Sequence, residues 1–439
     1  MEKVNLLQGF DGPGWSIWSA AENRTPVFSL GEKAGITADR FEHYGKLCYT
    51  ARNLTPGETY AFTVAYTHDA GMAMKVCIGA VLTWYAAEGE GDNMISRHYA
   101  ENIRENATDE TVTGQLSFVC EAPKDVAKPF VYRPLHAETL HIELFLKNCK
   151  SGSVTFSNPS LTVTTPVPHR KVKVVTTWFN HTANTERTLA KSMERLLLTA
   201  DKAGREKPDI VIFPETMIDR GLDLGTGRYM KIPCEYTEKM AHKAREYNCY
   251  MLFSLHEEGE EGFYYNTAIL MDRHGEIVGK YRKTHLSMEE AEMGLTAGNA
   301  LPVFETDFGK IGILICWDLY FAAPAAILAQ KGAEIICVST AGDAHIQTYA
   351  RAADNGVYAA IAGYGRNEHA TIPPSRIIDP NGNVMCAVED DMGIACATID
   401  LDKMISRYWL SVGDGYGECK NIYQNEMRLD LYAESLKGI

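Results

Sequence analysis

The sequence predicts a multi-domain protein in which an all-β sandwich precedes a four-layer α-β-β-α sandwich. Three observations lead to this prediction. A chain of 439 residues is too long for one ordinary domain. Residues 1–165 hold short strand-like runs without helical periodicity, whereas residues 171–402 alternate strand-like and helix-like segments. Because the second part mixes hairpins with crossovers, it favours a mixed α/β or four-layer arrangement over a parallel βαβ wheel.

The first predicted domain, 1–165, consists of β-rich runs separated by turn clusters, which is typical of an antiparallel sandwich. Its runs LTPGETYAFTVAY (54–66) and HIELFLKN (141–148), with SGSVTFSNPSLTV (151–163), resemble strands of galactose-binding-like, carbohydrate-binding-module-like domains. That resemblance implies a jelly roll and a possible glycan ligand on exposed aromatic residues. We interpret Trp15, Trp18 and Trp84 as core residues instead, because one aromatic residue per strand is ordinary packing.

The second predicted domain follows a linker, TTPVPHRK (164–171), which holds two prolines and no periodicity. Leu189, Met193, Leu196 and Leu197 recur at helical spacing and predict the first helix. Predicted helices cover 186–203, 237–248, 321–332 and 346–358. Predicted strands cover 171–179, 209–216, 249–257, the hairpin 264–283, 310–316, 333–340, 359–365, 375–388 and 393–402. We assign 171–439 to this domain, including a C-terminal tail at 403–439.

Charge and composition exclude several classes of function. A formal charge of −14 leaves no basic surplus for phosphates, so no nucleic-acid partner is expected. No apolar run approaches the ~20 residues of a membrane span, and the first residues show no secretion signal. The eleven cysteines are scattered, without a CxxC pair or zinc spacing. We therefore expect a reduced, cytoplasmic protein without a membrane partner or a metal.

Three chemically complementary residues end three of the predicted strands. Glu215 follows IVIFP, Lys283 ends the hairpin in YRK, and Cys316 ends KIGILIC. Ligands and catalytic groups collect at strand ends of α/β layers. A carboxylate, an ammonium and a thiol suffice for thiol-based acyl transfer, because they supply a base, a partner for the oxyanion and a nucleophile. Taken singly, each residue has a plain alternative: a loop carboxylate, a solvated lysine and a buried core thiol.

Together and in this order, these residues resemble the nitrilase, or carbon–nitrogen hydrolase, superfamily. The matching motifs are IVIFPET, GKYRKTHL and GILICWD, which hold the glutamate, lysine and cysteine. Further matches are LTAGNALPVFETDFGKIG (295–312), YARAADNGVYAAIA (349–362) and SRIIDPNGNV (375–384). The resemblance covers about 171–402 and implies a nitrilase-type four-layer sandwich.

The resemblance implies a role for each residue of the triad. Cys316 would attack the carbonyl carbon and form a thioester, with Glu215 as general base. Lys283 and the backbone N–H of Trp317 would stabilise the oxyanion. A helix beginning near Phe321, together with Lys283, is expected to favour the thiolate form of Cys316.

Many superfamily members carry a second glutamate between the lysine and the glycine that corresponds to Gly298. Glu289, Glu290 and Glu292 are the candidates here, and spacing from the lysine motif favours Glu290. After the cysteine, Asp318 points to amidase or carbamoylase branches, because nitrile hydrolases commonly carry Glu there. The residues at 320–323 depart from the R-F-P-E of many amidases.

We predict hydrolysis of a small amide or N-carbamoyl compound, with no cofactor. His345 and Tyr349 follow the strand after Cys316 and are candidate substrate contacts. The alternatives are nitrile hydrolysis, acyl transfer, and a glycan-binding protein with a non-catalytic α/β half. A homo-oligomer, dimeric or higher, is expected through FAAPAAILAQ (321–330) and the tail 403–439.

Overall fold

The computed structural model describes residues 4–72, 76–86, 93–180, 188–220, 222, 224–342, 345–365, 374–389, 393–411 and 413–435. The chain divides into two compact units. The first unit combines residues up to 168 with the tail from 404 onward, and the second unit comprises 169–403. The structure thus groups the tail with the N-terminal unit, whereas the sequence analysis assigned it to the second domain.

The first unit contains two antiparallel sheets. One has the strand order β1-β4-β12-β6-β7 and the other β2-β3-β13-β5-β9-β8, with a separate β10-β11 hairpin. The strands are β1 (Trp15–Ser19), β2 (Val27–Ser29), β3 (Ala34–Ala38), β4 (Tyr44–Ala51), β5 (Thr59–Asp69), β6 (Ile78–Tyr85), β7 (Met94–Tyr99), β8 (Glu101–Ala107), β9 (Thr111–Glu121), β10 (Val126–Lys128), β11 (Val131–Leu135), β12 (Thr139–Lys147) and β13 (Gly152–Thr164).

One hydrophobic cluster fills the first unit and takes residues from both sheets. Trp84 and Ile142 enter it from one sheet, and Phe62 and Phe156 from the other. This packing follows from the alternation along β5, where every second residue is buried. The N-terminal region is therefore β-rich, as predicted.

The second unit alternates strands with helices. Its strands are β14 (Lys171–Asn180), β15 (Ile210–Ile212), β16 (Tyr250–Glu258), β17 (Tyr264–Met271), β18 (Ile277–Arg282), β19 (Val303–Glu305), β20 (Lys310–Ile315), β21 (Ile335–Ser339), β22 (Tyr358–Gly365), β23 (Arg376–Ile378), β24 (Val384–Ala387) and β25 (Ile394–Asp400). Its helices are α1 (Leu189–Gly204), α2 (Glu235–Tyr247), α3 (Met288–Glu292), α4 (Ala322–Gln330) and α5 (His345–Ala353).

These strands form two halves that meet where the end of β14 pairs with β22. One half has the order β18-β17-β16-β15-β14-β25, and the other β19-β20-β21-β22-β23-β24. Helices α1 and α2 cover the first half, while α4 and α5 cover the second. Strands such as β16 and β21 are buried on both faces. The Ser339 hydroxyl donates to Phe213 O at 2.8 Å across the two halves, which gives the predicted α-β-β-α layers.

The tail completes the first unit. It contains β26 (Ser406–Tyr408), β27 (Tyr416–Glu418), α6 (Cys419–Glu426) and α7 (Leu429–Ser435). Strand β27 pairs in parallel with β7 and extends its sheet. The Asn421 side chain accepts from Tyr99 N at 2.5 Å and donates to Tyr99 O at 2.9 Å, so it occupies the backbone edge of β7. Ile422 packs beside Val81, Tyr99 and Phe145 in a second apolar cluster of this unit.

Within the described ranges, the structure holds no helix with the length and apolar character needed to cross a lipid bilayer.

Candidate active site

The three predicted site residues each follow directly on a strand or a short extension of one. Glu215 lies three residues past β15, Lys283 one residue past β18 and Cys316 one residue past β20. Glu215 and Lys283 are almost fully buried, with 3% and 2% of their surfaces exposed, and Cys316 is partly buried. Such burial of two charged side chains requires that they pair with each other or with further polar groups.

The Lys283 ammonium lies between two carboxylates. Its Nζ donates to Glu215 Oε1 at 3.0 Å and to Glu290 Oε2 at 2.7 Å. Burial by itself would lower the pKa of Lys283, but Glu215, the Cys316 thiol group and Glu290 outweigh it and raise that pKa well above its usual range. The lysine is therefore a permanent cation in this site.

Of the three candidate glutamates, the structure places Glu290 beside the lysine, while Glu289 and Glu292 are exposed. Glu290 belongs to the capping box of α3, in which its Oε2 accepts from Ser287 N at 2.9 Å. Burial works to raise the pKa of Glu290, but the Lys283 ammonium, Asn266 and Ser287 N–H hold that pKa below its usual value. Glu290 is thus an ionised carboxylate fixed by a helix start.

Sequence reasoning missed Asn266, which connects both glutamates. Its Nδ2 donates to Glu215 Oε1 at 2.7 Å and to Glu290 Oε1 at 2.8 Å. Glu215, Lys283, Glu290 and Asn266 together form what we call the Lys283 cluster. One indication of this role is present in the sequence, because Asn266 is a single amide inside the apolar strand β17. That strand pairs with β18, which leads to Lys283.

Cys316 lies in a left-handed backbone conformation with φ of +43°, which is rare for a residue other than glycine. Burial and the Glu215 carboxylate raise the pKa of the Cys316 thiol. Lys283, Thr340 and Ala341 act in the opposite direction and lower that pKa, but they do not outweigh the first two effects. The direction of this shift favours the thiol, whereas the sequence led us to expect the thiolate.

The helix expected near Phe321 begins there, because α4 starts at Ala322 and has Phe321 as its N-cap. A 3-10 turn over Cys316–Tyr320 separates Cys316 from the first residue of this helix.

Asp318 is fully buried two residues after Cys316, and it accepts five hydrogen bonds. Its Oδ2 accepts from Ile315 N at 2.9 Å and from the Tyr281 hydroxyl at 2.7 Å. Its Oδ1 accepts from Thr284 Oγ1 at 3.1 Å and from His285 N and Nδ1, both at 3.0 Å. We call these residues the Asp318 cluster. It ties the cysteine turn to the segment that carries Lys283.

Three further contacts fix the ends of the site strands. The Tyr364 hydroxyl donates to Glu215 O at 2.7 Å, and Thr216, at φ of +45°, donates its N–H to Ser254 Oγ at 2.7 Å. Gly298 N–H donates to Lys283 O at 2.8 Å. A Cβ at Gly298 would lie 2.2 Å from Arg282 O, so this close approach requires glycine.

The remaining predicted residues lie around the turn and on α5. Trp317 is partly exposed, and its ring packs on Tyr320 with centroids 4.4 Å apart. Tyr349 packs against the cluster of α4 and β22, with the Arg376 guanidinium 5.0 Å from its ring centroid. These contacts give Tyr349 a packing role. His345 begins α5, but its side chain lies outside the described residues.

No group of three or more His, Cys, Asp or Glu side chains with the arrangement of a metal site occurs in the part of the chain that the structure describes.

Comparison with known proteins places the second unit in a family. The family model for carbon–nitrogen hydrolases matches residues 175–407. "Omega-amidase NIT2" of Xenopus tropicalis is 33% identical over 191 residues, which are 39% of this chain and 69% of that protein. The Danio rerio protein of the same name is 30% identical over 235 residues, 48% of this chain and 83% of that protein. A crystallised amidase from Nesterenkonia sp. is 20% identical, with a TM-score of 0.49, covering 62% of this chain and 98% of its own.

Proposed function

The chain belongs to the carbon–nitrogen hydrolase family and hydrolyses non-peptide carbon–nitrogen bonds of amides; from this premise we propose that Cys316 attacks the carbonyl carbon of a small amide and forms a thioester. The observation that carries the proposal is the placement of a buried ammonium, Lys283, between two carboxylates in electrostatic contact with the thiol. Glu215, Lys283 and Cys316 would then act as a catalytic triad.

The first half-reaction needs a base, because the resting sulfur is protonated. Glu215 is the proposed base: it takes the thiol proton while sulfur adds to the carbonyl carbon. Lys283 and the Trp317 N–H, which lies in the first turn after the strand, stabilise the resulting oxyanion. The tetrahedral intermediate collapses, the carbon–nitrogen bond breaks, and the nitrogen leaves as ammonia with the proton returned by Glu215.

The second half-reaction repeats the same roles with water. Glu215 removes a proton from water, and the hydroxide adds to the thioester carbonyl. The carbon–sulfur bond then breaks, and Glu215 gives the proton to the leaving sulfur, which yields a carboxylic acid and the Cys316 thiol. The sum is amide plus water giving acid plus ammonia. Glu290 stays ionised throughout and holds Lys283 in place.

Relatives named omega-amidases favour an amide over an N-carbamoyl compound as the substrate. Nitrile hydrolysis and acyl transfer use the same groups and are alternative outcomes of the test. Asp318, which pointed to amides in the sequence, is saturated with hydrogen bonds inside the protein. Its effect on substrate choice would therefore be indirect, because Asp318 would act by positioning the cysteine turn and the segment that carries Lys283.

Ammonia release from a panel of small amides, N-carbamoyl amines and nitriles tests the function. We expect release from at least one amide, a transient acyl mass on Cys316, and a rate at least about 10³-fold lower in Cys316→Ala. Cys396→Ala is the matched control, because Cys396 packs partly buried against the same apolar cluster as Cys316. If nothing in the panel reacts and no thiol-directed electrophile labels Cys316, the proposal is wrong.

For the first unit we propose a jelly-roll architecture. Eight strands, β3 to β7, β9, β12 and β13, support it, because they form two four-stranded orders, β3-β13-β5-β9 and β4-β12-β6-β7. Trp15 and Trp84 lie in its core, and the Lys46 ammonium lies 4.5 Å from the ring centroid of the partly exposed Trp18. These contacts indicate that the tryptophans pack within the protein and do not form a binding surface for a glycan. A glycan array probed with the full chain tests for a glycan ligand.

We also propose a homo-oligomer of a cytoplasmic protein. The oligomer is supported by three partly exposed apolar residues, namely Phe321 just before α4, Ile327 on α4 and Ile346 on α5. All eleven cysteines are free, which supports a reducing compartment. Light scattering that finds only monomers would contradict the oligomer. The tail is a weaker candidate for the interface than the sequence suggested, because it pairs within the first unit.

A further inference from the structure

Asn266 occupies an unusual position between two carboxylates. Only 1% of its surface is exposed. One amide nitrogen serves both Glu215 and Glu290, at 2.7 and 2.8 Å. The backbone O of the same residue accepts from Lys283 N at 2.9 Å. Asn266 therefore contacts both carboxylates through its side chain and the backbone of Lys283 through its own backbone.

The cluster has an imbalance of charge that needs an explanation. Two carboxylates share one ammonium, which leaves one uncompensated negative charge at a buried place. Like charges at such distances disfavour each other's ionised form, and one carboxylate of the pair then tends to keep a proton. A protonated Glu215 could not accept the proton of Cys316, so the proposed reaction needs both carboxylates ionised.

A primary amide offers two hydrogens in one plane, one for each carboxylate. Hydrogen bonds to a carboxylate favour its charged form. The amide orientation follows from the neighbours, because the opposite orientation would turn the Asn266 carbonyl oxygen toward two negative groups. The lowered pKa of Glu290, to which Asn266 contributes, is in line with this effect.

We propose that Asn266 is a positioning residue that allows Glu215 and Glu290 to share the single ammonium of Lys283, by giving one amide hydrogen to each. The inference rests on the proposed function, since it explains how Glu215 stays available as a base. It assigns Asn266 no contact with the substrate.

Other charged or titratable groups also face Glu215. The Tyr364 hydroxyl donates to its backbone O, and Arg220 and Asp219 act electrostatically on Tyr364. Asp219 is itself paired with His256 on β16. On the other elements around Glu215, the charged or titratable side chains are Lys283, Glu290 and Cys316. Substitution of Asn266 alters none of these residues, so a change in pH dependence reports on the amide.

The test compares Asn266→Leu and Asn266→Asp with the native enzyme in two assays over pH 5 to 9. One assay is ammonia release, read as kcat and KM separately. The other is the rate of alkylation of Cys316 by iodoacetamide, read by mass spectrometry, which needs no substrate. We expect the acid limb of both profiles to move up by about one pH unit in Asn266→Leu and further in Asn266→Asp, which adds a third carboxylate. At pH 7 kcat should fall about 10- to 100-fold, with little change in KM.

Asn355→Leu is the matched control, because Asn355 is a buried amide of the same unit that donates to Arg351 O at 2.9 Å. It should lower thermal stability without moving the acid limb. Unmoved acid limbs in both Asn266 variants overturn the inference, even if their rates fall. If Asn266→Leu does not fold, Asn266→Ala takes its place, because it also removes the amide hydrogens without adding a charge. A shift in alkylation while the native enzyme releases no ammonia from the panel would support the role of Asn266 and reject the proposed substrate class instead.

Discussion

The Lys283 cluster and the Asp318 cluster hold buried carboxylates in two different ways. In the Lys283 cluster, two carboxylates share one ammonium and one amide. In the Asp318 cluster, one carboxylate accepts five hydrogen bonds from hydroxyls, backbone amides and an imidazole, without lysine or arginine. The first arrangement is the one that we propose to exchange a proton, whereas the second connects the cysteine turn to the segment that carries Lys283. Asp318 contacts both ends of the segment 281–285, and Lys283 in the middle of that segment belongs to the other cluster.

The largest expected effect comes from Lys283→Met. Removing the ammonium leaves two buried carboxylates unpaired, so activity should fall at least about 10³-fold and stability by about 3–5 kcal/mol. Ammonia release and chemical denaturation measure the two losses. Lys280→Met is the control, since Lys280 lies on β18, the strand that leads to Lys283, pairs with Glu257 of β16 at 2.6 Å and belongs to neither cluster. Equal losses in both variants would show that the Lys283 cluster is ordinary packing.

A smaller effect is expected from Asp318→Asn. An amide in this place turns an N–H toward existing donors, which should cost about 1–3 kcal/mol and lower kcat about 10- to 100-fold. Because the Asp318 cluster is not proposed to exchange protons, the acid limb of the pH profile should stay unchanged. Asp379→Asn is the control, since Asp379 accepts three hydrogen bonds in an exposed turn. A shifted pH profile in Asp318→Asn would remove the distinction between the clusters.

The smallest effect is expected at Glu418, a partly buried carboxylate of the tail with fewer donors than either cluster supplies. Its side chain accepts from Asn421 N at 2.5 Å, and burial raises the pKa of Glu418 to about 6. The folded state therefore holds this proton more tightly than the unfolded chain, so stability falls as pH rises from about 4.5 to about 6. Glu418→Gln should stabilise the protein by about 1–2 kcal/mol at pH 7 and by nothing at pH 4.

Thermal unfolding of the native protein and Glu418→Gln at the two pH values measures this difference. A variant that is less stable at pH 7 would show that the carboxylate is better satisfied than its contacts suggest. Asp430→Asn is a control in the same tail, because Asp430 is paired with Arg428 at 2.8 Å and its pKa is lowered.

The site residues could be predicted best where a short segment of sequence by itself indicates a strand that ends in a reactive side chain. Glu215 and Cys316 each follow a short apolar run, and Lys283 ends the second strand of a predicted hairpin, so their placement at strand ends could be predicted. Glu290 was one of three candidates, because only the start of α3 decides which side chain turns toward Lys283. The state of the Cys316 thiol could not be predicted, since it depends on burial and on the distance to Glu215.

Contacts between segments that are far apart in the sequence were the main feature that could not be predicted. Nothing in the run YYNTAILMD shows that Asn266 bridges two carboxylates, one of which lies 51 residues earlier and the other 24 later. Likewise, the pairing of Tyr416 with Ser96 has no local signature, so the sequence alone does not show that the tail adds a strand to the sheet of β7. Periodicity reports which face of a strand is buried but not which strand lies beside it.

The pairing of the tail with β7 has a consequence for the order of synthesis. The first unit contains strands from before residue 168 and from after residue 404, whereas the second unit is continuous. On the ribosome, the second unit can fold before Asn421 has been synthesised, and thus before its side chain can hydrogen-bond to the backbone of Tyr99 at the edge of β7. The part of the protein that is translated first is therefore the part that is finished last.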